Sequence, residues 1–282
     1  MQIRPLGKQS ASLTNDGQLS LFTLGCGSAF SRNLGQNNYV VIKGNDHLMI
    51  DCGSRTPVRL TDLGLKIGDI HNFLPTHSHA DHIGGLEELM LINRYMIRQK
   101  PTAYIETRYQ RLLWNDSLKG GAAANERHNG KYLRFEDFWN IVRPKPRPDL
   151  PREAAEFEVG DLNIKIFRTN HFPEQANNWK TAAYSIGLLI DDRILFTGDT
   201  KYDSTLVSDF EAHFNIEWIF QDAQFFTGGI HASVDELAQL PESVRSRMLL
   251  MHYGDSWKEK VEHVKSLGFY DFAREYCYYD FD

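Results

Sequence analysis

The stretch Leu74–Gly85, with the sequence LPTHSHADHIGG, limits the possible folds of this chain more than any other. It places four side chains that can bind a metal within six residues: His77, His79, Asp81 and His82. The first two project to the same side of an extended segment, and the last two can turn toward a second point. The chain has only 11 histidines in 282 residues. This spacing therefore favours a site for two neighbouring cations over a polar loop with scattered histidines.

Composition indicates one globular domain, because 41% of the residues are hydrophobic and 24% are charged. The three cysteines, Cys26, Cys52 and Cys277, form no C-x-x-C motif and cannot all pair, so we expect a reducing compartment. Met1–Ser20 lacks an apolar run of signal-peptide length, and no stretch approaches the ~20 apolar residues of a membrane span. We expect a soluble, cytoplasmic protein without a membrane partner.

Charge is distributed unevenly along the chain. The net charge of −6 argues against a long polyanion as the main partner. Residues 94–134 nevertheless contain nine basic and three acidic side chains, a local balance of +6, so the remainder carries −12. This segment is either a solvated helix face, which is the commoner case, or a surface that attracts an anionic substrate.

Four predicted strands precede the histidine-rich loop, and the last of them, 70–74, leads directly into it. The first, 19–24, ends in the turn Gly25–Ser28, where small residues let backbone N–H groups approach a ligand, and Ser28 is a candidate substrate-binding residue. Segments 38–43 and 47–51 predict a hairpin. Asp51 closes this hairpin and has two equally plausible roles: it orients a metal-bound histidine through a hydrogen bond without binding the metal itself, or it caps the following helix.

After a helix predicted over 86–98, the character of the chain changes. Residues 98–160 contain an aromatic and basic run, a Gly-Gly break and a stretch rich in proline. Because strongly apolar positions are too few for an independent core, we interpret them as an insertion within a single domain, 1–282. The insertion is expected to form a helical lid over the site.

Further candidate ligands each follow a predicted strand. His171 follows 163–168, Asp199 lies in a T-G-D-T step, and His252 follows the apolar segment 248–251. A carboxylate just past a strand can bridge two cations, and the preceding glycine gives the backbone freedom to aim it. Taken singly, each residue has a plainer explanation as a surface histidine or a helix cap.

Together these contexts resemble the metallo-β-lactamase superfamily: H-x-H-x-D-H after a strand, a later lone His, an Asp in T-G-D-T, and a final His after an apolar strand. The resemblance covers Leu21 to about Asp255 and is weakest in the insertion. It implies an α/β fold, specifically an αββα sandwich, with a dinuclear site at one edge of the two sheets. It also implies a ligand set: His77, His79 and His171 for one metal, Asp81, His82 and His252 for the other, and Asp199 with a hydroxide between them.

The chemistry of such a site follows from its donors. Two divalent cations a few Å apart lower the pKa of a shared water and stabilise the charge that develops after attack. Nitrogen and carboxylate ligands without thiolate suit Zn²⁺, the usual metal of the superfamily, and they also accommodate Mn²⁺ or Fe²⁺.

The last third of the chain resembles ribonuclease Z and its relatives. Ile219–Phe225 is similar to their H-E-A-T-F segment, with Asp222 in place of the acid, and His231-Ala232-Ser233 is similar to their H-S-T step. This resemblance implies that His231 protonates the leaving oxygen and that Asp222 helps to hold it. Asp81 joins them as a catalytic candidate. The alternative is that His231 caps a helix beginning near Ser233, where Ser233-x-x-Glu236 forms a capping box.

The sequence lacks the feature by which ribonuclease Z binds its large RNA substrate. Ribonuclease Z carries a glycine-rich basic arm that grips tRNA, and neither 169–184 nor the surroundings of Asp199 has that composition, so tRNA is not an expected partner. Phosphodiesterases of small or cyclic nucleotides have similar cores and need only a compact basic lid. In this chain, 94–134 supplies basic residues for a phosphate and aromatic ones for a base, with Trp114 as a candidate substrate-binding residue beside Tyr109 and Tyr132.

We therefore predict a dinuclear metal phosphodiesterase acting on a small anionic phosphodiester, with a homodimer expected by analogy alone. The nearest alternative is a lactonase or thioesterase of the same fold, which needs the same hydroxide. A second alternative is a ligand sensor without turnover, although the complete ligand set argues against it. A diiron oxygen reductase is disfavoured, because such sites commonly replace the second His of H-x-H by Glu, and His79 is intact.

Overall fold

Two eight-stranded β-sheets form the frame of the computed structural model, which describes all 282 residues. The first sheet contains, in spatial order, β1 (Gln2–Pro5), β18 (Cys277–Phe281), β2 (Leu19–Gly25), β3 (Asn38–Lys43), β4 (Asp46–Ile50), β5 (Asn72–Leu74), β6 (Thr102–Tyr104) and β9 (Asn140–Val142). The second contains β10 (Lys145–Pro146), β11 (Ala154–Val159), β12 (Leu162–Arg168), β13 (Ile186–Ile190), β14 (Ile194–Phe196), β15 (Trp218–Asp222), β16 (Met248–Met251) and β17 (Asp271–Phe272). A separate hairpin joins β7 (Arg127–His128) to β8 (Lys131–Tyr132).

The helices are short and connect the strands. They are α1 (Thr56–Asp62), α2 (Ala80–Ile83), α3 (Leu86–Ile92), α4 (Thr107–Leu112), α5 (Lys119–Ala122), α6 (Phe135–Phe138), α7 (Leu206–Glu211), α8 (Val234–Leu237), α9 (Glu242–Arg245) and α10 (Trp257–Ser266). Single 3₁₀ turns cover Ile67–Asp69 and Ala123–Asn125, and π-helical turns extend α3 and α4 over Asn93–Ile97 and Leu113–Leu118. None of the helices combines the length and the apolar character that crossing a membrane requires.

Both sheets change from antiparallel to parallel pairing, and this change positions the site. In the first sheet, β4, β5, β6 and β9 run parallel; in the second, β14, β15, β16 and β17 do. Parallel strands align their carboxyl ends along one edge, where ligands commonly bind in α/β proteins. The predicted ligands that follow β5, β14 and β16 are therefore brought to common edges.

A continuous apolar core joins the two sheets. Strands β13, β14 and β16 are buried at every position, as expected for strands covered on both faces. Phe220 on β15 packs edge-on against Tyr39 and Tyr279 of the opposite sheet, with ring centroids 6.0 and 5.2 Å apart. This packing of sheet on sheet, with helices between the strands, confirms the predicted α/β sandwich.

The segment predicted as an insertion, 98–160, contributes strands to both sheets. Within 98–160, strands β6 and β9 belong to the first sheet, and β10 and β11 belong to the second. Residues 105–139 are the longest stretch of the segment outside both sheets, and they contain α4, α5, α6 and the small hairpin. Strands β6, β9 and β10 have only two or three residues each and are too short to show an alternating pattern in the sequence.

Replacing Phe220 by Ala should lower the free energy of unfolding by ~3–5 kcal/mol, because it removes a fully buried ring between the sheets. Urea denaturation followed by circular dichroism measures this loss. Phe226→Ala is the matched control, since that ring is exposed, and it should change stability by less than ~0.5 kcal/mol. Equal losses in the two variants would contradict the assigned packing.

Candidate metal centre

The histidine-rich loop is held against the turn that follows β4. The backbone N–H of Cys52 donates to the carbonyl of His82 at 2.7 Å. A Cβ atom on Gly85 would lie 2.5 Å from the carbonyl oxygen of Gly53, so only glycine permits this approach. The Gly84-Gly85 step, which follows α2, thus allows the loop to pack closely against the turn at Asp51.

Three histidine nitrogens converge in a first ligand group. His79 Nδ1 lies 3.0 Å from His77 Nε2 and 3.1 Å from His171 Nε2. Neutral imidazole nitrogens bind metal ions, and three of them this close together form the arrangement expected around one cation. The spacing in sequence had suggested His77 and His79 as a pair, and the fold adds the third nitrogen from the end of β12.

A second ligand group lies beside the first. Asp81 Oδ2 is 3.2 Å from Nε2 of both His82 and His252. His252 follows β16, whereas Asp81 and His82 lie in the first turn of α2, so the group joins the two sheets.

Asp199 lies between the two groups. Its Oδ2 atom is 3.2 Å from His82 Nε2 and 3.3 Å from His252 Nε2. The same oxygen is 3.8 Å from His77 Nε2 and 3.7 Å from His171 Nε2. The residue is 1% exposed, and neither carboxylate oxygen has a hydrogen-bond partner. A buried carboxylate without hydrogen bonds requires positive charge beside it, and this one faces both groups at once.

Hydrogen bonds to Nδ1 of His82 and of His171 fix which nitrogen of these two histidines faces the site. Asp51 lies 2.6 Å from His82 Nδ1 and also accepts from the backbone N–H and hydroxyl of Thr76. His171 Nδ1 donates to the carbonyl of Ile230 at 2.9 Å. Such partners orient metal-binding imidazoles and set their tautomer. Of the two roles considered for Asp51, the structure shows the orienting one, and α1 has no side-chain cap.

The protonation of these groups suits cation binding. Burial lowers the pKa of His77 well below its usual range and lowers the pKa of His171 to about 4. Burial also lowers the pKa of His252, but Asp199, Asp222 and Asp81 outweigh it and raise that pKa to about 10. The second group therefore balances its carboxylates with positive charge, which a divalent cation supplies when it replaces the protons.

The structure thus brings together all seven residues predicted as metal ligands. The buried histidine and aspartate clusters fit a dinuclear metal site, with three nitrogens on one side, mixed nitrogen and oxygen donors on the other, and Asp199 between them.

His231 and Asp222 form a hydrogen-bonded pair at the edge of this centre. His231 Nδ1 lies 2.8 Å from Asp222 Oδ2, and Asp222 Oδ1 lies 3.4 Å from His252 Nδ1. His231 does not cap α8, because Ser233 does so and Glu236 completes the capping box. Asp222 is fully buried, whereas His231 is partly accessible. The pair therefore presents one imidazole nitrogen toward the space beside the metal ligands.

A cavity of about 430 Å³ opens over the centre. It is lined by residues from both sheets: Ala29, Phe30, Gln36, Ser54, His79, Ala80, Asp81, Asp199, Ile230, His231 and His252. The sequence did not identify Phe30, Gln36, Ser54 and Ile230 as cavity residues. The only sequence signal for Phe30 was the glycine turn that precedes it. Ser28 adjoins this wall, but its backbone N–H donates to the carbonyl of Tyr253.

The predicted lid does not reach this cavity. Trp114, expected to contact substrate, instead is 8% exposed and packs against Phe135 and Phe138. Tyr109 is buried and stacks on Tyr184 with a centroid separation of 4.4 Å. No residue of 94–134 lines the cavity. Trp114 and Tyr109 are thus part of the continuous apolar core, a use that their spacing in sequence did not distinguish from ligand binding.

Known proteins resemble this chain along most of its length. The family model described as Anti-Pycsar protein Apyc1 matches residues 19–279. An Anti-Pycsar protein Apyc1 of Bacillus phage BSP38 is 35% identical over 247 residues, which cover 84% of this chain and 89% of the phage protein. Another from Bacillus phage vB_BsuM-Goe3 is 32% identical over 263 residues, covering 90% and 96%.

Solved structures show the same fold at low sequence identity. YhfI of Bacillus subtilis, described as a metallo-beta-lactamase fold protein, has a TM-score of 0.69 at 14% identity and covers 94% of this chain and 100% of its own. A diphosphatase from the PhnP family has a TM-score of 0.67 at 13% identity, covering 94% and 98%. The short form of human tRNase Z has a TM-score of 0.61 at 18% identity, covering 92% and 98%.

These likenesses confirm the predicted fold. The chain has the metallo-β-lactamase fold and belongs to the Anti-Pycsar protein Apyc1 family.

Proposed function

We propose that this protein is a metal-dependent phosphodiesterase that hydrolyses small or cyclic nucleotides or related phosphodiesters. The observation that carries the proposal is the His231–Asp222 pair, which opens into the same cavity as Asp199 and His252. Two divalent cations, Zn²⁺ foremost, would be held by the seven ligands. When bound, they supply an activated hydroxide and stabilise the charge that develops on the phosphoryl oxygens.

The chain's own residues provide the acid. Because Asp222 holds Nδ1 of His231, Nε2 is the nitrogen left to serve a substrate in the cavity. This nitrogen gives its proton to the leaving oxygen as the bond from phosphorus to that oxygen breaks. The buried carboxylate of Asp222 fixes the orientation of the imidazole through its hydrogen bond to Nδ1.

The acid favours a phosphodiester with an alkoxide leaving group over a thioester. A thiolate leaving group needs no proton, so it makes no use of His231.

Cavity size favours a small substrate. A volume of about 430 Å³ lies within the range of small-molecule sites, and its walls come from short loops. Since 94–134 does not line the cavity, the basic residues of that segment are not assigned to substrate binding in this proposal. The proposal therefore rests on the metal centre and on the residues immediately around it.

Purified protein should contain close to two transition-metal ions per chain, because seven ligands exceed what one cation needs. Elemental analysis measures the metal, and hydrolysis of bis-p-nitrophenyl phosphate measures activity before and after a chelator. Both should fall together and return when Zn²⁺ is added back. Saturation at one ion per chain would contradict the dinuclear site.

Asp199→Ala should reduce phosphodiester hydrolysis by at least ~10³-fold while the protein stays folded, because one carboxylate faces both ligand groups. Steady-state rates and circular dichroism measure the two effects. Asp235→Ala is the matched control, since this aspartate is exposed on α8 and should leave both unchanged. Near wild-type rates for Asp199→Ala would show that the carboxylate is not part of the centre.

His231→Ala should slow hydrolysis of a substrate with an alkoxide leaving group far more than one with p-nitrophenolate. A general acid contributes ~10²–10⁴-fold when the departing oxygen needs a proton, and little when it leaves as a stable anion. Rates with methyl- and p-nitrophenyl-substituted phosphodiesters measure the difference, and elemental analysis should show unchanged metal. His263→Ala, at an exposed site on α10, is the control. Equal losses on both substrates with intact metal would remove the acid role of His231.

A further inference from the structure

A second cavity, of about 250 Å³, meets the cavity over the metal centre at His231, the one residue that lines both. Its walls come from the loops that follow β12 and β14 and from the turn at Gly228 and Gly229. None of the seven candidate metal ligands lines it. We call this cavity the side pocket. It gives the imidazole of His231 a second space that the metal centre does not use.

Asn170 lines the side pocket and carries an amide oxygen without a partner. The residue is 6% exposed, and its Oδ1 atom accepts no hydrogen bond within the protein. Buried polar atoms are nearly always paired, because an unpaired one destabilises the fold. This oxygen therefore indicates a hydrogen-bond donor that a ligand brings into the pocket.

Backbone hydrogen bonds hold together the three segments that form the side pocket. The N–H of Lys201 donates to the carbonyl of Asn170 at 2.7 Å. The N–H of Ala232, directly after His231, donates to the carbonyl of Thr200 at 3.0 Å. Walls that are fixed before a ligand arrives lose less conformational freedom on binding than loose loops do.

The free groups of the side pocket accept hydrogen bonds. The ammonium group of Lys201 is already engaged, because it donates to the backbone carbonyls of Glu174 and Ala176. The carboxylates of Glu174 and Glu236 each bond through one oxygen and keep the other free of hydrogen bonds. An anionic group would be repelled by these two carboxylates, whereas a hydroxyl group donates to them. The pocket therefore suits a neutral alcohol that carries several hydroxyl groups.

We propose that the side pocket binds the leaving alcohol of a linear phosphodiester and selects alcohols with further hydroxyl groups, such as glycerol. This inference rests on the proposed phosphodiesterase function. A general acid must lie at the leaving oxygen, and His231 lies where the two cavities meet. The phosphoryl group then stays at the metal centre while the alcohol extends past His231 toward Asn170.

The reaction consumes one water. Hydroxide derived from that water bonds to phosphorus, and the bond from phosphorus to the alcohol oxygen breaks. The departing oxygen takes the proton from Nε2 of His231, so the products are a phosphomonoester and the free alcohol.

The test compares two substrates that differ only in the alcohol: adenosine 5′-(methyl phosphate) and adenosine 5′-(glyceryl phosphate), each hydrolysed to AMP. Asn170→Leu keeps the approximate size of the side chain and removes its amide. It should lower kcat/KM for the glyceryl ester about 2- to 10-fold, the effect of one net hydrogen bond, and change that for the methyl ester by less than about twofold. The intrinsic reactivity of the two esters is the same for every protein, so the change in their rate ratio measures the pocket.

Thermal unfolding separates a binding role of Asn170 from a structural one. Because Asn170→Leu removes a buried acceptor that has no partner, Tm should stay the same or rise. Asn170→Ala should lose the same preference for the glyceryl ester. Asn93→Leu replaces another buried asparagine, which lines neither cavity, and should keep the wild-type ratio. A lower Tm with equal losses on both esters would assign the amide to the fold and overturn the inference.

A third substrate, 3′,5′-cyclic AMP, separates failure of this inference from failure of the proposed function. Hydrolysis of cyclic AMP without hydrolysis of either ester, or with an ester ratio that Asn170→Leu leaves unchanged, would overturn the leaving-group site and leave the phosphodiesterase standing. If none of the three is hydrolysed, calorimetric titration with the intact esters decides. Tighter binding of the glyceryl ester that Asn170→Leu abolishes would support the site and overturn the phosphodiesterase, and equal binding of the two esters would overturn both.

Discussion

The buried carboxylate of Asp199 is the group around which the centre is built. Its two oxygens have no hydrogen bonds, and an isolated ionised carboxylate at such depth would cost many kcal/mol. Histidines on both sides hold its pKa well below the usual range, although burial alone would raise it. The residue reaches this position because Gly198 adopts φ +60°, where a Cβ atom would meet the carbonyl of Ile186 at 2.3 Å. The requirement for compensating positive charge therefore explains why so many imidazoles converge on one point.

The parallel half of each sheet makes this convergence possible. Asp81 and His252 are 171 residues apart in sequence, yet their side chains lie 3.2 Å apart, because each follows a strand whose carboxyl end faces the same cleft. Asp222 likewise lies at the carboxyl end of a parallel strand, β15, and contacts both His231 and His252. One architectural rule thus brings the candidate metal ligands, the residues that hydrogen-bond to them and the His231–Asp222 pair to one place.

The ligands and main strands could be predicted from the sequence because each rests on a local signal: an apolar run followed by a side chain that binds metals. Strands 38–43 and 248–251 agree with the structure to the residue. Residues without such a signal were misplaced. Trp114 lies in an irregular helical segment, where an aromatic residue that fills a core cannot be told from one that binds a base. Phe30 was missed because loops carry no periodicity.

Two of the seven non-glycine residues with positive φ lie at the same edge. Asp51 and His252 adopt φ of +63° and +59°, and each directly follows a strand that ends at the centre. Such conformations cost of order 1–3 kcal/mol each for residues other than glycine and persist only where surrounding contacts impose them. Here those contacts are visible: Asp51 is bonded to Thr76 and His82, and His252 lies against Asp81 and Asp222. A left-handed residue turns the chain sharply away from the strand while keeping its side chain at the edge. The sandwich core therefore stabilises two positions that local preference disfavours: Asp51 orients His82, and His252 is itself a candidate ligand.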